Sequence, residues 1–207
     1  MKYVKLESYE DALQNIELDN EKNTLFSNIP GNEYLLNYML NIESEESLLN
    51  VNKFINPFNY ALKITEKNES KKTNIDLCET FNYLIGLNVV SQSEVVNYSE
   101  TADAPCDYDG AVGIKKDTNG THSFKMYEGV LRTGEKTLVI WRTLTSDTQK
   151  DNAMLDAYFA KKEYNPKDSE YDIIYVNGDN NLENLRTNED TWKVNLIEFE
   201  MKKRMFE

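Results

Sequence analysis

Two groups of polar side chains in this chain have the types and spacing that chemistry needs. Asp147, Asp151 and Asn152 open a helical stretch, and Asn177, Asp179, Asn180 and Asn181 follow a short β-type run, Ile173 to Val176. In a parallel strand–helix–strand unit, the start of a helix and the end of the next strand lie at the same edge of the sheet, where ligands bind. These seven residues form the candidate polar cluster. They also have the composition of helix caps and an Asx-type turn, which would close the loop on itself.

Other patterns come close to catalytic motifs, and each fails for a physical reason. Gly129 to Thr137 reads GVLRTGEKT, one residue too long for a phosphate loop, and strand-type residues follow it where a helix N-terminus should hold the phosphates. A hairpin turn is expected there. Asn56-Pro57-Phe58 resembles the Asn/Asp-Pro-Pro-aromatic signature of amino-methyltransferases, but the second proline and a Phe-x-Gly-x-Gly loop are missing. A metal-dependent nuclease would need Glu-x-Lys on its central strand, and TLVIWR offers Ile140-Trp141-Arg142 instead. Asp179 to Glu183 starts like a calcium loop but lacks the sixth-place glycine and the twelfth-place glutamate. His122, flanked by Thr and Ser, is expected to be a solvated loop residue.

The elements that would position these groups follow from periodicity. Ser8 can cap a first helix, and Leu35, Leu36, Met39 and Leu40 make the apolar stripe of a second, from Asn32 to about Ile42. Residues 47–60 read as an irregular strand or turn, and 67–72 as a charged loop between two halves. Asn74 is a candidate cap for a helix to Leu87, with Leu77, Cys78, Phe81, Leu84 and Ile85 on one face and Gly86 near its end. Val89, Val90, Val95 and Val96 mark two short strands, and residues 100–120 a long loop or hairpin turn. Thr133-Gly134-Glu135 joins two strands, 123–131 and 137–144, the second buried and central. Ser146-Asp147-Thr148-Gln149 has capping-box form and opens a helix with Met154, Leu155, Tyr158 and Phe159 on one face, ended by Tyr164-Asn165-Pro166. A strand at 171–176, another through Trp192, Val194 and Leu196, and a short helix complete the chain.

This order predicts an α/β fold, with mixed α+β also compatible: a mixed sheet flanked by helices, behind a helical N-terminal portion. The succession loosely matches restriction-endonuclease-like folds. The division expected is 1–72 for the helical portion, linking to an upstream catalytic domain, and 73–207 for the α/β core.

Bulk composition excludes several classes. At 207 residues the chain can bury a real core, and 40% hydrophobic with 29% charged residues is ordinary for a globular protein. No apolar run approaches the length of a membrane span and the N-terminus is not a secretory signal, so a cytoplasmic protein with no membrane contact is expected. Two cysteines and one histidine cannot build a Cys/His zinc site unaided; no metal site is expected, and both thiols should be free. A net charge of −13 disfavours autonomous DNA binding and suits a protein partner.

Several stretches together resemble the C-terminal region of bacterial site-specific, adenine-specific DNA-methyltransferases, the modification subunits of type III-like restriction–modification systems. They are KYVKLESYEDAL (2–13), EYLLNYML (33–40), NPFNYALKI (56–64), DLCETFNYLIGLNV (76–89), LVIWRTL (138–144), DNAMLDAYF (151–159) and YDIIYVNGDNNLENL (171–185). The resemblance covers nearly the whole chain. It implies a parent that methylates adenine N6 with S-adenosylmethionine, its catalytic motifs upstream of KLESYED. It also implies that this chain is a non-catalytic part of it, serving assembly, contact with a restriction (helicase/nuclease) subunit, or DNA engagement. No catalytic, cofactor-binding or metal residue carries over, because no family signature of that kind matches here. A homodimer is compatible with this role. Two alternatives stand beside it: a nuclease-like enzyme using Asp147, Asp151 or Asp179, and a small-ligand module at the Asn177–Asn181 loop.

Overall fold

The computed structural model describes residues 54–66, 69–105, 108–186 and 192–206. The two helices expected before residue 50 lie outside them, as does Cys106. The described residues fall into two compact units: 59–75 in one, and 54–58 with 76 onward in the other.

The first unit contributes a two-stranded antiparallel ribbon, β1 (Ala61–Glu66) and β2 (Glu69–Asn74). Residues 69–72, read from sequence as loop, are therefore strand. High charge hid them, because β2 is exposed along its whole length and shows no apolar alternation.

The second unit is a seven-stranded mixed sheet with helices on both faces. Its strands are β3 (Asn88–Gln92), β4 (Val96–Thr101), β5 (Gly113–Lys116), β6 (His122–Val130), β7 (Lys136–Arg142), β8 (Ile173–Val176) and β9 (Val194–Leu196). The path runs β5-β4-β6-β7-β8-β9, and β3 also pairs with β6. β3 lies along the C-terminal half of β6 and β4 along its N-terminal half, with Ser93 bridging them through both its N–H and its hydroxyl to Met126. The β6–β7 pair is antiparallel and closes on the expected Thr133-Gly134-Glu135 turn, with Gly134 at φ 105°. The β7–β8 and β8–β9 pairs are parallel. The region 100–120 holds β5, a strand short enough to be lost among turn residues.

The α-helices among the described residues are α1 (Leu77–Ile85), α2 (Thr148–Lys162) and α3 (Ile197–Phe206). Their caps differ from the expected ones by one or two residues. Asp76, not Asn74, caps α1 by accepting the Glu79 N–H, because Asn74 is held in β2 opposite Ala61. Asp147, rather than Ser146, caps α2 by accepting the Lys150 N–H. Gly86 ends α1 in the left-handed conformation at φ 70°, as its position predicts.

Pleat alternation sorts the core. Leu138, Ile140, Ile174, Val176, Phe124 and Met126 pack with Met154, Leu155, Tyr158 and Phe159 of α2. The intervening Trp141 and Tyr175 meet Phe81 of α1 edge-on, with ring centroids 5.9 and 5.3 Å away. α2 is buried nearly all round, so its inner face carries the polar residues Asp151 and Asn152 into the interior with Met154 and Leu155. Among the described residues no helix is long and apolar enough to cross a membrane.

Candidate functional site

The parallel β7-α2-β8 unit brings the end of β7, the start of α2 and the end of β8 to one edge of the sheet. The start of the antiparallel β6 joins them there, because Phe124 pairs with Arg142. A polar corner results, and it is built on two buried side chains.

Arg142 is the first. It is 1% exposed at the last position of β7. Its Nη1 donates to the Asp151 carbonyl at 2.6 Å, its Nε to the Asn177 carbonyl at 3.1 Å, and its Nη2 to the Asp179 carbonyl at 2.7 Å. A longer contact of 3.4 Å reaches Asn152 Oδ1. One guanidinium thus ties α2 to the loop after β8. Burial lowers its pKa to about 10, against the pull of Asp151, Glu198, Asp156 and Asp179, so it remains charged at neutral pH.

Asn177 completes the tie. It is fully buried, accepts the Arg142 N–H at 2.7 Å, and donates to the Arg142 and Phe54 carbonyls at 2.8 and 3.3 Å. Its amide therefore continues the parallel ladder one step beyond β8, where the backbone has already turned away. Gly178 makes that turn at φ 75°, a conformation glycine takes without strain.

Asp151 is the second organising side chain, 3% exposed in the first turn of α2. Its Oδ1 faces His122 Nε2 at 3.0 Å and accepts the Thr145 hydroxyl at 2.8 Å; its Oδ2 accepts the Thr145 N–H at 2.8 Å. His122 Nδ1 in turn meets the Thr121 hydroxyl at 3.0 Å. His122 is 1% exposed and begins β6, which overturns its reading as a solvated loop residue. The overlooked signal was alternation: His122, Phe124 and Met126 lie on one face of a strand. The run Thr121–His122–Asp151 has the order of a proton relay, but its carboxylate end is committed to both polar groups of Thr145.

Glu198, in the first turn of α3, accepts the Gly178 N–H at 2.7 Å, while its second oxygen is buried with no partner among the described residues. Burial raises its pKa above the ordinary 4.5, opposed by backbone N–H groups and Arg142. The fold therefore favours the protonated acid. That contribution is full below the ordinary value and is lost as pH rises through the raised one. Glu198→Gln keeps the acceptor and removes the buried charge. In urea titrations it is expected to be more stable than the parent at pH 7, with the gain vanishing below pH 4.5; a gain that persists in acid would contradict this.

Of the seven cluster residues, the structure brings four to Arg142: Asn152 and Asn177 through their side chains, with the Asn177 carbonyl as well, and Asp151 and Asp179 through their backbone carbonyls alone. The other three stand apart. Asp147 caps α2, Asn180 accepts the Leu182 N–H in an Asx turn at 3.3 Å, and Asn181 is exposed. Arg142, Thr145, His122 and Glu198 were not legible as members. Among the described residues no group of three or more His, Cys, Asp or Glu side chains is placed to hold a metal ion. Comparison with protein-family models, with curated proteins and with solved structures gives no match for this chain.

Proposed function

We propose that this chain is a non-catalytic assembly domain, the C-terminal part of an adenine-N6 DNA-methyltransferase of a type III-like restriction–modification system. The observation that carries this reading is the self-sufficiency of the polar corner. Asp151 uses both oxygens internally, Asn177 uses its carbonyl and its amide N–H groups, and Arg142 spends its donors on carbonyls of its own chain and an amide. Groups so committed shape a surface rather than bind a substrate, since freeing any of them leaves a buried polar atom unsatisfied. In this reading S-adenosylmethionine and its chemistry belong to the rest of the parent protein. Further support comes from location. LVIWRTL, DNAMLDAYF and YVNGDNNLENL, three of the stretches that carry the resemblance, are the segments that Arg142, Asp151 and Asn177 hold together.

The test is deletion of these 207 residues from the complete methyltransferase. The truncated protein is expected to lose self-association or its grip on the restriction subunit by light scattering and co-purification. Unchanged assembly on both measures would refute the proposal.

A further inference from the structure

The chain holds two Asn-Gly steps, Asn119-Gly120 and Asn177-Gly178, and the fold treats them oppositely. Asparagine is a thermolabile residue, and a following glycine gives it an intramolecular reaction. The glycine nitrogen, with no Cβ beside it, attacks the side-chain carbonyl carbon of the asparagine. The N–Cγ bond forms, the glycine N–H proton passes to solvent base, and the Cγ–Nδ2 bond breaks as ammonia leaves with a proton from water. The resulting succinimide takes up one water at either carbonyl and opens to aspartate or isoaspartate. The reaction needs a carboxamide free to turn, a glycine N–H open to base, and a backbone loose enough to bring them together.

Asn177 meets none of these conditions. Its carboxamide is fixed by the Arg142 N–H and by the Arg142 and Phe54 carbonyls, and the Gly178 N–H donates to Glu198. Asn119 is exposed, in the short turn between β5 and β6. There the Gly120 N–H donates to the Asp117 carbonyl at 2.9 Å, and the Asn119 N–H to Asp117 Oδ1 at 3.0 Å. Hydrogen bonds of an exposed turn open locally at little cost, whereas those of a buried corner open only with the corner. Packing also keeps the glycine in place. A Cβ on Gly120 would lie 2.4 Å from the carbonyl carbon and oxygen of Tyr98, so a bulkier residue that slows the attack does not fit.

We propose that Asn119 is a self-modification site, converted in the folded protein to aspartate and isoaspartate, while the polar corner keeps Asn177 intact. Each conversion places a new carboxylate two residues from Asp117. Isoaspartate also adds one main-chain atom just ahead of His122, whose ring faces Asp151. The inference rests on the hydrogen bonds of the corner and not on its assembly role, so it stands or falls separately from that reading.

The full chain, incubated at mildly alkaline pH in water enriched in heavy oxygen, tests it. Peptide mapping by mass spectrometry locates the oxygen taken up and separates isoaspartate from aspartate. Product is expected at position 119, with isoaspartate in excess, and at least about tenfold more slowly at position 177, where attack waits for the corner to open. In urea, with the fold lost, the two steps should react at similar rates. Asn119→Gln, whose attack would need a less favourable, larger ring, should lose the product at an unchanged melting temperature. Equal conversion of the two steps in the folded chain would overturn the proposal, as would absence of product at Asn119 in the folded chain.

Discussion

Replacing Arg142 by methionine is expected to cost the fold about 3–5 kcal/mol, in the range measured when one member of a buried charged network is removed. The cost comes from what is left behind. The carbonyls of Asp151, Asn177 and Asp179 lose their donor where water cannot replace it, at about 1–3 kcal/mol for each group that stays unsatisfied. Methionine matches the volume, so a cavity contributes little. Glu198 would also lose the nearby positive charge that helps keep its carboxyl from rising further. Urea unfolding at neutral pH measures the loss. The loop after β8 should become the first region to exchange its amide hydrogens, because the guanidinium is what fastens it to α2. A loss below about 1 kcal/mol would mean that the carbonyls find other donors.

Asp151→Ala is expected to be nearly as damaging, about 3 kcal/mol or more, since the Thr145 N–H loses its acceptor and the Thr145 hydroxyl and His122 Nε2 lose their buried carboxylate at once. Asp151→Asn should cost less, about 1–2 kcal/mol, because one of its oxygens becomes a donor facing groups that need an acceptor. A double-mutant cycle between Asp151→Ala and His122→Ala isolates the pair. Coupling of about 1 kcal/mol or more is expected for two side chains 3.0 Å apart in a buried network. Additive losses would show that each acts only through its own surroundings.

The parts of this fold that were legible in sequence are those where local and tertiary signals agree. The apolar face of α1, the glycine that ends it, the β6–β7 turn and the central position of β7 all follow from periodicity and turn chemistry. β2 failed because an exposed ribbon has no buried face to write a period of two. The α1 cap was misplaced because Asn74 and Asp76 are equally good caps locally, and only pairing with Ala61 decides between them.

The polar corner was half legible for a related reason. Asn177 and Asp151 declare themselves as polar residues at a strand end and a helix start. Arg142 does not, since a basic residue closing an apolar strand ordinarily reads as the point where the strand reaches solvent. What makes it central is its length: the guanidinium turns back across the sheet edge to carbonyls 9 to 37 residues away in sequence. Glu198 lay hidden in an acidic terminal helix, where nothing local separates the carboxylate that accepts the Gly178 N–H from that of Glu200, which pairs with Arg204.

The claim that the corner is structural and the chain non-catalytic is tested most directly by calorimetric titration of the folded chain with S-adenosylmethionine. No binding heat is expected, from the parent chain or from Asp151→Asn. Saturable micromolar binding that Asp151→Asn abolishes would contradict it, by placing a ligand on side chains assigned wholly to the fold.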